Sequence, residues 1–397
     1  MNFAATIQFE TQLSLRTSQM TSPSSPVDPD GLMEFSVVFT DRSLNHMSQT
    51  FQKVMNDIST MLRDVYNADA AIVVPGGGTF AMEAVARQFA TGRKTMVLRN
   101  GWFSYRWTQI FEAGDIPSDQ QVLKARQSGN EHPAPFAPHP VEDVVKGITE
   151  SKPDIVFAPH VETSSGILLP DDYLKSVSEA AHSVGALFVL DCIASGALWV
   201  DMKACGVDVL ISAPQKGWSS SPSSGLVMLS QRALDILPQT KSSSFAVDLA
   251  KWHQIMQAYE NGGHAYHSTM PTDALTGFRD TMLESRNYGF EKLRGQQIKL
   301  GTAVRKLLAE HGYKSVAASG FEAPGVVVSY TSDPEIQNGK KFAEQGMQIA
   351  AGVPLMCDEP SDFSTFRLGL FGLDKMNDVD AALAKIEAAL LHIERNK

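Results

Sequence analysis

Residues 187–195 read LFVLDCIAS. The apolar run 187–190 has the length and composition of a buried strand, and Asp191 follows it at once. A carboxylate in that position is costly to desolvate unless something pairs with it. A helix start at a strand–helix junction is one such partner, and a cationic ligand is another. Moving outward, the same rhythm recurs. Short apolar strands are expected at 71–74, 94–98, 155–158, 207–211 and 225–229, with helices at 50–66, 80–89 and 171–184. Buried strands alternating with helices predict an α/β fold whose mostly parallel sheet is covered on both faces. Ligands of such sheets sit beyond the carboxyl ends of the strands.

The C-terminal part differs. Residues 272–308 read as one long helix, 325–330 and 365–370 as strands, and 379–393 as a closing helix. This pattern predicts a smaller α+β domain, with divisions at 1–30 (an arm), 31–275 (the large domain) and 276–397 (the small domain). The Ser-, Pro- and Asp-rich residues 21–31 read as a linker. The first twenty residues lack a continuous apolar core and are expected to form a flexible or subunit-crossing arm; being acid-poor and Ser/Thr-rich, they also leave a transit peptide open.

The chain has 397 residues, 43% hydrophobic and 20% charged, which is a globular composition. A formal net charge of −10 argues against a general nucleic-acid binder, whose affinity comes from Lys and Arg meeting phosphates. Cys192, Cys205 and Cys357 form no CxxC pair and no metal-ligand spacing, so neither a disulfide framework nor a metal site is expected. A reducing cytoplasm is the simplest compartment. The absence of a long apolar run argues against a membrane span.

Three further strand ends carry chemistry. In VVPGGGTFAMEA, residues 73–84, glycines leave a strand and open a helix. Backbone there can approach an anion closely, and the helix N-terminus favours it, so a phosphate is expected on Gly77, Gly78 and Thr79. The pattern is neither a Walker loop nor GxGxxG, and a plain tight turn is the competing reading. In VDVLISAPQKGW, residues 207–218, Lys216 follows a strand closely enough to reach the sheet's open end. Partly desolvated, its amine loses a proton more readily and becomes a nucleophile; a solvated loop lysine is the alternative. Ser219, Ser220 and Ser221 make a small-residue loop suited to packing on a ligand. In HVETSSGIL, residues 160–168, His160 and Glu162 lack a third metal ligand nearby. Its hydroxyls suit the polar edge of an aromatic cofactor.

Taken in order, the Gly-rich turn, HxETSSG, DxxAS and QK resemble the class V aminotransferases of pyridoxal phosphate fold type I, especially those acting on alanine or serine with glyoxylate, or on 2-aminoethylphosphonate with pyruvate. The resemblance runs from about His46 to the C-terminus. It implies a seven-stranded sheet in the large domain and pyridoxal 5'-phosphate as cofactor. Lys216 then resembles the Schiff-base lysine and Asp191 the partner of the pyridine nitrogen. Gly77, Gly78, Thr79 and Gln215 match the phosphate site, Ser164 and Ile193 fall in segments beside the ring, and Phe103 matches the residue stacked on it, with Trp102 competing. Tyr266 and Thr269 resemble residues that cross a homodimer to complete the partner's phosphate site. Arg367 resembles the arginine that holds the substrate carboxylate, for which a planar fork is suited.

Two stretches depart from the family: residues 31–48 replace a Pro/Gly-rich segment that lines the substrate pocket, and Ser-Pro-Ser follows Lys216 where Pro-Pro-Gly is common. The expected activity is amino transfer from a small amino acid to a 2-oxo acid such as glyoxylate or pyruvate. The competing readings are a lyase on the same residues, an aminophosphonate transaminase, a desulfurase using Cys357, and a non-catalytic binding module. Arg42 and Arg106 are candidates for a second acidic group of the substrate.

Overall fold

A computed structural model describes residues 27–395. The expected arm and its alternative, a transit peptide, lie almost wholly outside the described residues. Regular structure begins where Ser48 caps a helix: its hydroxyl accepts the Phe51 N–H at 3.1 Å, satisfying a donor that a helix start leaves open. The helix Gln49–Tyr66 (α1) turns Phe51, Val54, Met55, Ile58, Leu62 and Tyr66 inward at helical spacing and stops at Asn67, whose left-handed backbone (φ 52°) returns an N–H to the Arg63 carbonyl.

Seven strands then build one sheet: Ala70–Pro75 (β1), Lys94–Arg99 (β2), Asp119–Lys124 (β3), Ile155–Pro159 (β4), Leu187–Asp191 (β5), Val209–Ser212 (β6) and Ser224–Leu229 (β7). Their spatial order is β1-β7-β6-β5-β4-β2-β3. β7 alone runs antiparallel to its neighbours; the other pairings are parallel. The carboxyl ends of β1, β2, β4, β5 and β6 therefore share one edge of the sheet. β3, DQQVLK, carried no strand signal in the sequence, because an edge strand with an exposed first half has no apolar run.

Helices Gly78–Val85 (α2), Trp102–Gly114 (α3), Val141–Ser151 (α4), Asp171–Ser183 (α5) and Leu249–Glu260 (α6) surround this sheet. The expected helix over 80–89 is shorter, and its last turn, Ala86–Ala90, widens into a π-helical turn. The expected single helix over 272–308 is two, Thr272–Tyr288 (α7) and Phe290–Glu310 (α8). Gly289, at φ 100°, ends the first and starts the second. The break matters for packing. Leu275, Phe278 and Met282 of α7 belong to the core of the large sheet, whereas Leu300, Val304 and Leu308 of α8 belong to a second core.

That second core is roofed by the antiparallel strands Val326–Tyr330 (β8), Ala350–Ala351 (β9) and Thr365–Gly369 (β10), in order β8-β10-β9, and by the closing helix Val379–Arg395 (α9). A third apolar cluster sets Val161, Ile167 and Ala194 against Val326, Val328, Leu355 and Cys357. It holds the small sheet beside the open ends of the large one. Among the described residues, no helix is long and apolar enough to cross a membrane, and no cluster of three or more metal-type ligands forms.

Candidate active site

Five strand ends converge on a cavity of about 190 Å³. Gly78, Thr79, Phe103, Asp191, Ile193, Gln215 and Lys216 line it, joined by Met82, Arg106, Val161, Thr163 and Ala194. A larger hollow of about 830 Å³, around Gln127, His132 and Asp333, collects none of them.

The turn after β1 is built by close approach. Gly76 sits at φ 122°, and a β-carbon there would meet the Phe80 ring at 2.6 Å. A β-carbon on Gly78 would come within 2.6 Å of Ile193 Cδ1. Glycine at 78 thus lets α2 begin directly against the loop that follows Asp191. The first amides of α2 have no acceptor within their own helix and present a positive end to the cavity.

Asp191 ends β5 and is only 7% exposed. Its Oδ1 accepts the Ile193 N–H at 2.9 Å, and among the described residues it has no ion-pair partner. Burial pushes its pKa up to about 7, Glu162 adding to the rise and the Ile193 N–H and Arg106 opposing it. A buried carboxylate in this state is half-finished: a cation beside it would return it to the charged form.

Lys216 lies beyond β6 in a loop tied by Ser219 N–H to Lys216 carbonyl (3.1 Å) and Ser220 N–H to Pro214 carbonyl (3.1 Å). Burial, and then Arg367, lower the pKa of its ammonium. Nζ stands 5.4 Å from the Phe371 ring. Beside it, the Gln215 amide oxygen is buried with no partner. The serines 219–221 do not line the cavity; Ser219 Oγ instead accepts the Leu373 N–H at 3.0 Å and ties this loop to the residues that follow β10.

The HVETSSG segment plays a different part from the one its hydroxyls suggest. Glu162 is fully buried. Its carboxylate accepts the Phe103 and Ser104 N–H groups (3.1 and 2.8 Å) and the Ser104 and Ser164 hydroxyls (2.7 and 2.8 Å). Ser164 Oγ also accepts the Trp102 N–H at 2.8 Å. The pair thereby caps the start of α3. Ser164 is not brought to the cavity; Thr163 lines it instead. His160 Nδ1 is hydrogen-bonded to Ser195 Oγ at 2.7 Å, and burial, then Arg294, lower its pKa to about 3, so the ring stays neutral. The capped helix turns Phe103 into the cavity, while Trp102 packs on Tyr105 at 5.6 Å.

The family model for class-V aminotransferases matches residues 33–361. The chain belongs to the class-V aminotransferase family. Rat alanine–glyoxylate aminotransferase is 24% identical over 369 residues, spanning 90% of this chain and 84% of that protein. The 2-aminoethylphosphonate–pyruvate transaminase of Paraburkholderia phymatum is 26% identical over 360 residues, spanning 89% and 90%. The solved structure of an alanine–glyoxylate aminotransferase from Nostoc sp. has the same fold, with a TM-score of 0.74 at 22% identity over 97% of this chain and all of that one (100%). A class-V aminotransferase is a pyridoxal-phosphate-dependent transaminase, and the residues present fit that group. The unpaired Asp191 carboxylate awaits a cation, and the start of α2 offers free amides to an anion beside Gln215, which lines the same cavity.

Other residues expected in this class-V site lie around the cavity rather than in it. Arg367 on β10 donates from Nε to the Ala351 carbonyl at 2.8 Å and stands 5.7 Å from the Phe103 ring. Tyr266 and Thr269 are hydrogen-bonded to each other at 3.1 Å on the exposed surface and do not line the cavity of their own chain. Arg42 is a surface residue 3.9 Å from Asp41. Cys357 is buried, and burial first pushes its thiol up to about 12, which leaves little of the thiolate a desulfurase nucleophile needs. Arg106 and Thr163 were not among the expected cofactor contacts. Arg106 had a signal, since position 106 is one helical turn on from Phe103 and shares its face.

Proposed function

We propose that this class-V aminotransferase moves the amino group of a small α-amino acid, such as alanine or serine, to a 2-oxo acid such as glyoxylate or pyruvate. One observation carries the reading: Lys216, with its lowered pKa, lines the same cavity as the buried, unpaired Asp191. The relatives named for alanine–glyoxylate and 2-aminoethylphosphonate–pyruvate transfer support the substrate class.

Pyridoxal phosphate, when bound, supplies an aldehyde that exchanges amines and a ring that takes up electrons from the substrate α-carbon. Lys216 holds the cofactor and, once its Nζ is released, takes the α-proton and later returns it. Asp191 would supply the negative charge for the cofactor's ring nitrogen and so keep it protonated. Phe103, lining the cavity, would cover one face of a bound ring and exclude water from it. Arg367 fixes the substrate carboxylate with its planar fork.

A homodimer with shared sites belongs to the same proposal, with Tyr266 and Thr269 each completing the partner's phosphate site. Its support is their outward position, together with the exposed apolar residues Leu32, Met33, Phe35 and Val37 that a single chain leaves uncovered. A cytoplasmic location is supported by three unpaired, buried cysteines.

A half-reaction tests the activity. Cofactor-loaded protein mixed with alanine or serine, without acceptor, should convert the cofactor to its amine form and release one 2-oxo acid per site; glyoxylate should then restore the original spectrum. The Lys216→Ala variant should lack the visible absorbance of lysine-bound cofactor. Release of ammonia would establish a lyase instead, and no spectral change with any amine would leave a binding module.

A further inference from the structure

Arg106 stands in the cavity with no ion pair among the described residues, although its charge reaches Asp191 in the same cavity and opposes the rise of that carboxyl's pKa. From α3 its Nη1 donates to Thr79 Oγ1 at 3.0 Å, and its guanidinium lies 5.1 Å from the centre of the Phe103 ring. Thr79 is the second residue of α2. A guanidinium is thus held at the positive end of a helix, where like polarity disfavours it. No carboxylate is ion-paired with Arg106 among the described residues. The arrangement makes electrostatic sense when an anion sits between the guanidinium and the helix start.

The cavity's own charges identify the anion. Among its lining residues only Arg106 and Lys216 are cations, and Asp191 is the lone anion. Lys216 is committed to the aldehyde end of the cofactor and Asp191 to the ring nitrogen. A phosphate ester near −2 then has one side-chain counter-charge left in this chain. Arg367, on the small sheet, is near the same aromatic ring, so the two guanidiniums divide two anionic groups between them.

We propose that Arg106 is the cationic anchor of the cofactor's phosphate, gripping it with the first amides of α2 and the side-chain N–H of Gln215, while Thr79 holds the guanidinium in position. The inference rests on the pyridoxal phosphate reading above and adds a residue to it. A planar fork on an aromatic ring is a pre-organised phosphate clamp.

The test compares two aldehydes on the full-length, cofactor-stripped protein, by tryptophan-fluorescence and absorbance titration. Pyridoxal phosphate carries the phosphate and pyridoxal lacks it. Arg106→Gln should weaken binding of pyridoxal phosphate by roughly ten- to hundred-fold, the range for losing a charge-assisted hydrogen bond, and leave pyridoxal binding unchanged. Arg106→Lys should recover part of the loss. Inorganic phosphate should compete with pyridoxal phosphate in the wild type and much less in Arg106→Gln. Thr79→Val, which keeps the charge and removes its tether, should give a smaller loss in the same sense. Equal weakening toward both aldehydes would overturn the proposal in favour of a structural role for Arg106. Unchanged pyridoxal phosphate affinity with KM raised only for acidic donors would overturn it in favour of a substrate anchor. A wild-type chain that binds neither aldehyde would sink the cofactor reading, and this inference with it.

Discussion

Asp191 is the residue whose protonation reports the site. Its folded pKa of about 7 lies above the ordinary 3.8 because burial penalises the charged form. Below about pH 4 the carboxyl is protonated in folded and unfolded chains alike, and its contribution to stability is fully present. As pH rises through 4 to 7 the unfolded chain has already lost the proton that the folded chain retains. Stability therefore falls across this window, by up to about 4 kcal/mol for three pH units, and the loss is complete above 7. Asp191→Asn has no such proton. The cofactor-free wild type should melt progressively lower relative to Asp191→Asn as pH rises from 4 to 7.5. Bound cofactor should flatten that difference, because a protonated ring nitrogen stabilises the carboxylate. A difference in melting temperature that is already flat without cofactor would count against a buried, unpaired Asp191.

At the scale of elements, the site depends on where two helices start. Gly78 lets α2 approach Ile193, and an added β-carbon would stand 2.6 Å from Ile193 Cδ1. Gly78→Ala should destabilise the protein by about 1–3 kcal/mol, as overpacking does, and Ile193→Val in the same chain should recover part of it by removing that atom. Denaturant midpoints of the two single variants and the double variant measure the coupling; simple additivity would mean that the two residues do not press on each other. Glu162 governs α3 in a similar way, since it accepts from both Phe103 and Ser104 N–H groups. Glu162→Ala should leave those buried donors open and cost about 1–3 kcal/mol or more. It should also weaken cofactor binding by releasing Phe103 and Arg106 together. Cofactor affinity unchanged in a destabilised Glu162→Ala protein would separate the cap from the site.

For the whole molecule the decisive question is whether one chain completes its own site. Tyr266 is 54% exposed, and Phe35 and Val37 are 86% and 103% exposed in the single chain. Covering such residues with a second copy removes apolar surface from water. If Tyr266 serves the partner's site, Lys216→Ala and Tyr266→Ala chains should complement each other. After subunit exchange in equal amounts, half of the dimers are mixed, and each has one intact site. Cofactor retention should recover to roughly a quarter of wild-type sites by random assortment. No recovery on mixing would mean that Tyr266 acts within its own chain.

The order of apolar runs and the polar residues just after them pointed to the open sheet edge, where the fold places Asp191, Lys216, Gly78 and Thr79 around one cavity; Gly77, expected with them, is not among its lining residues. Each is a local signal: a buried strand fixes the burial of its last residue, and a glycine run before a helix fixes an anion-accepting start. The break at Gly289 and the edge strand β3 escaped the pattern, because one glycine interrupts no periodicity and an exposed strand carries none. The choice between adjacent side chains also needed the fold. Phe103 rather than Trp102, and Thr163 rather than Ser164, line the cavity because Glu162 and Ser164 cap α3 and set its phase. The meeting of Arg106 with Thr79, 27 residues apart, and of Arg367 with Phe103 depends on packing between elements distant in sequence. Local sequence determined which kinds of group stand at the strand ends; tertiary structure decided which of them face one another, because those distances are set by cores and caps that no single segment contains.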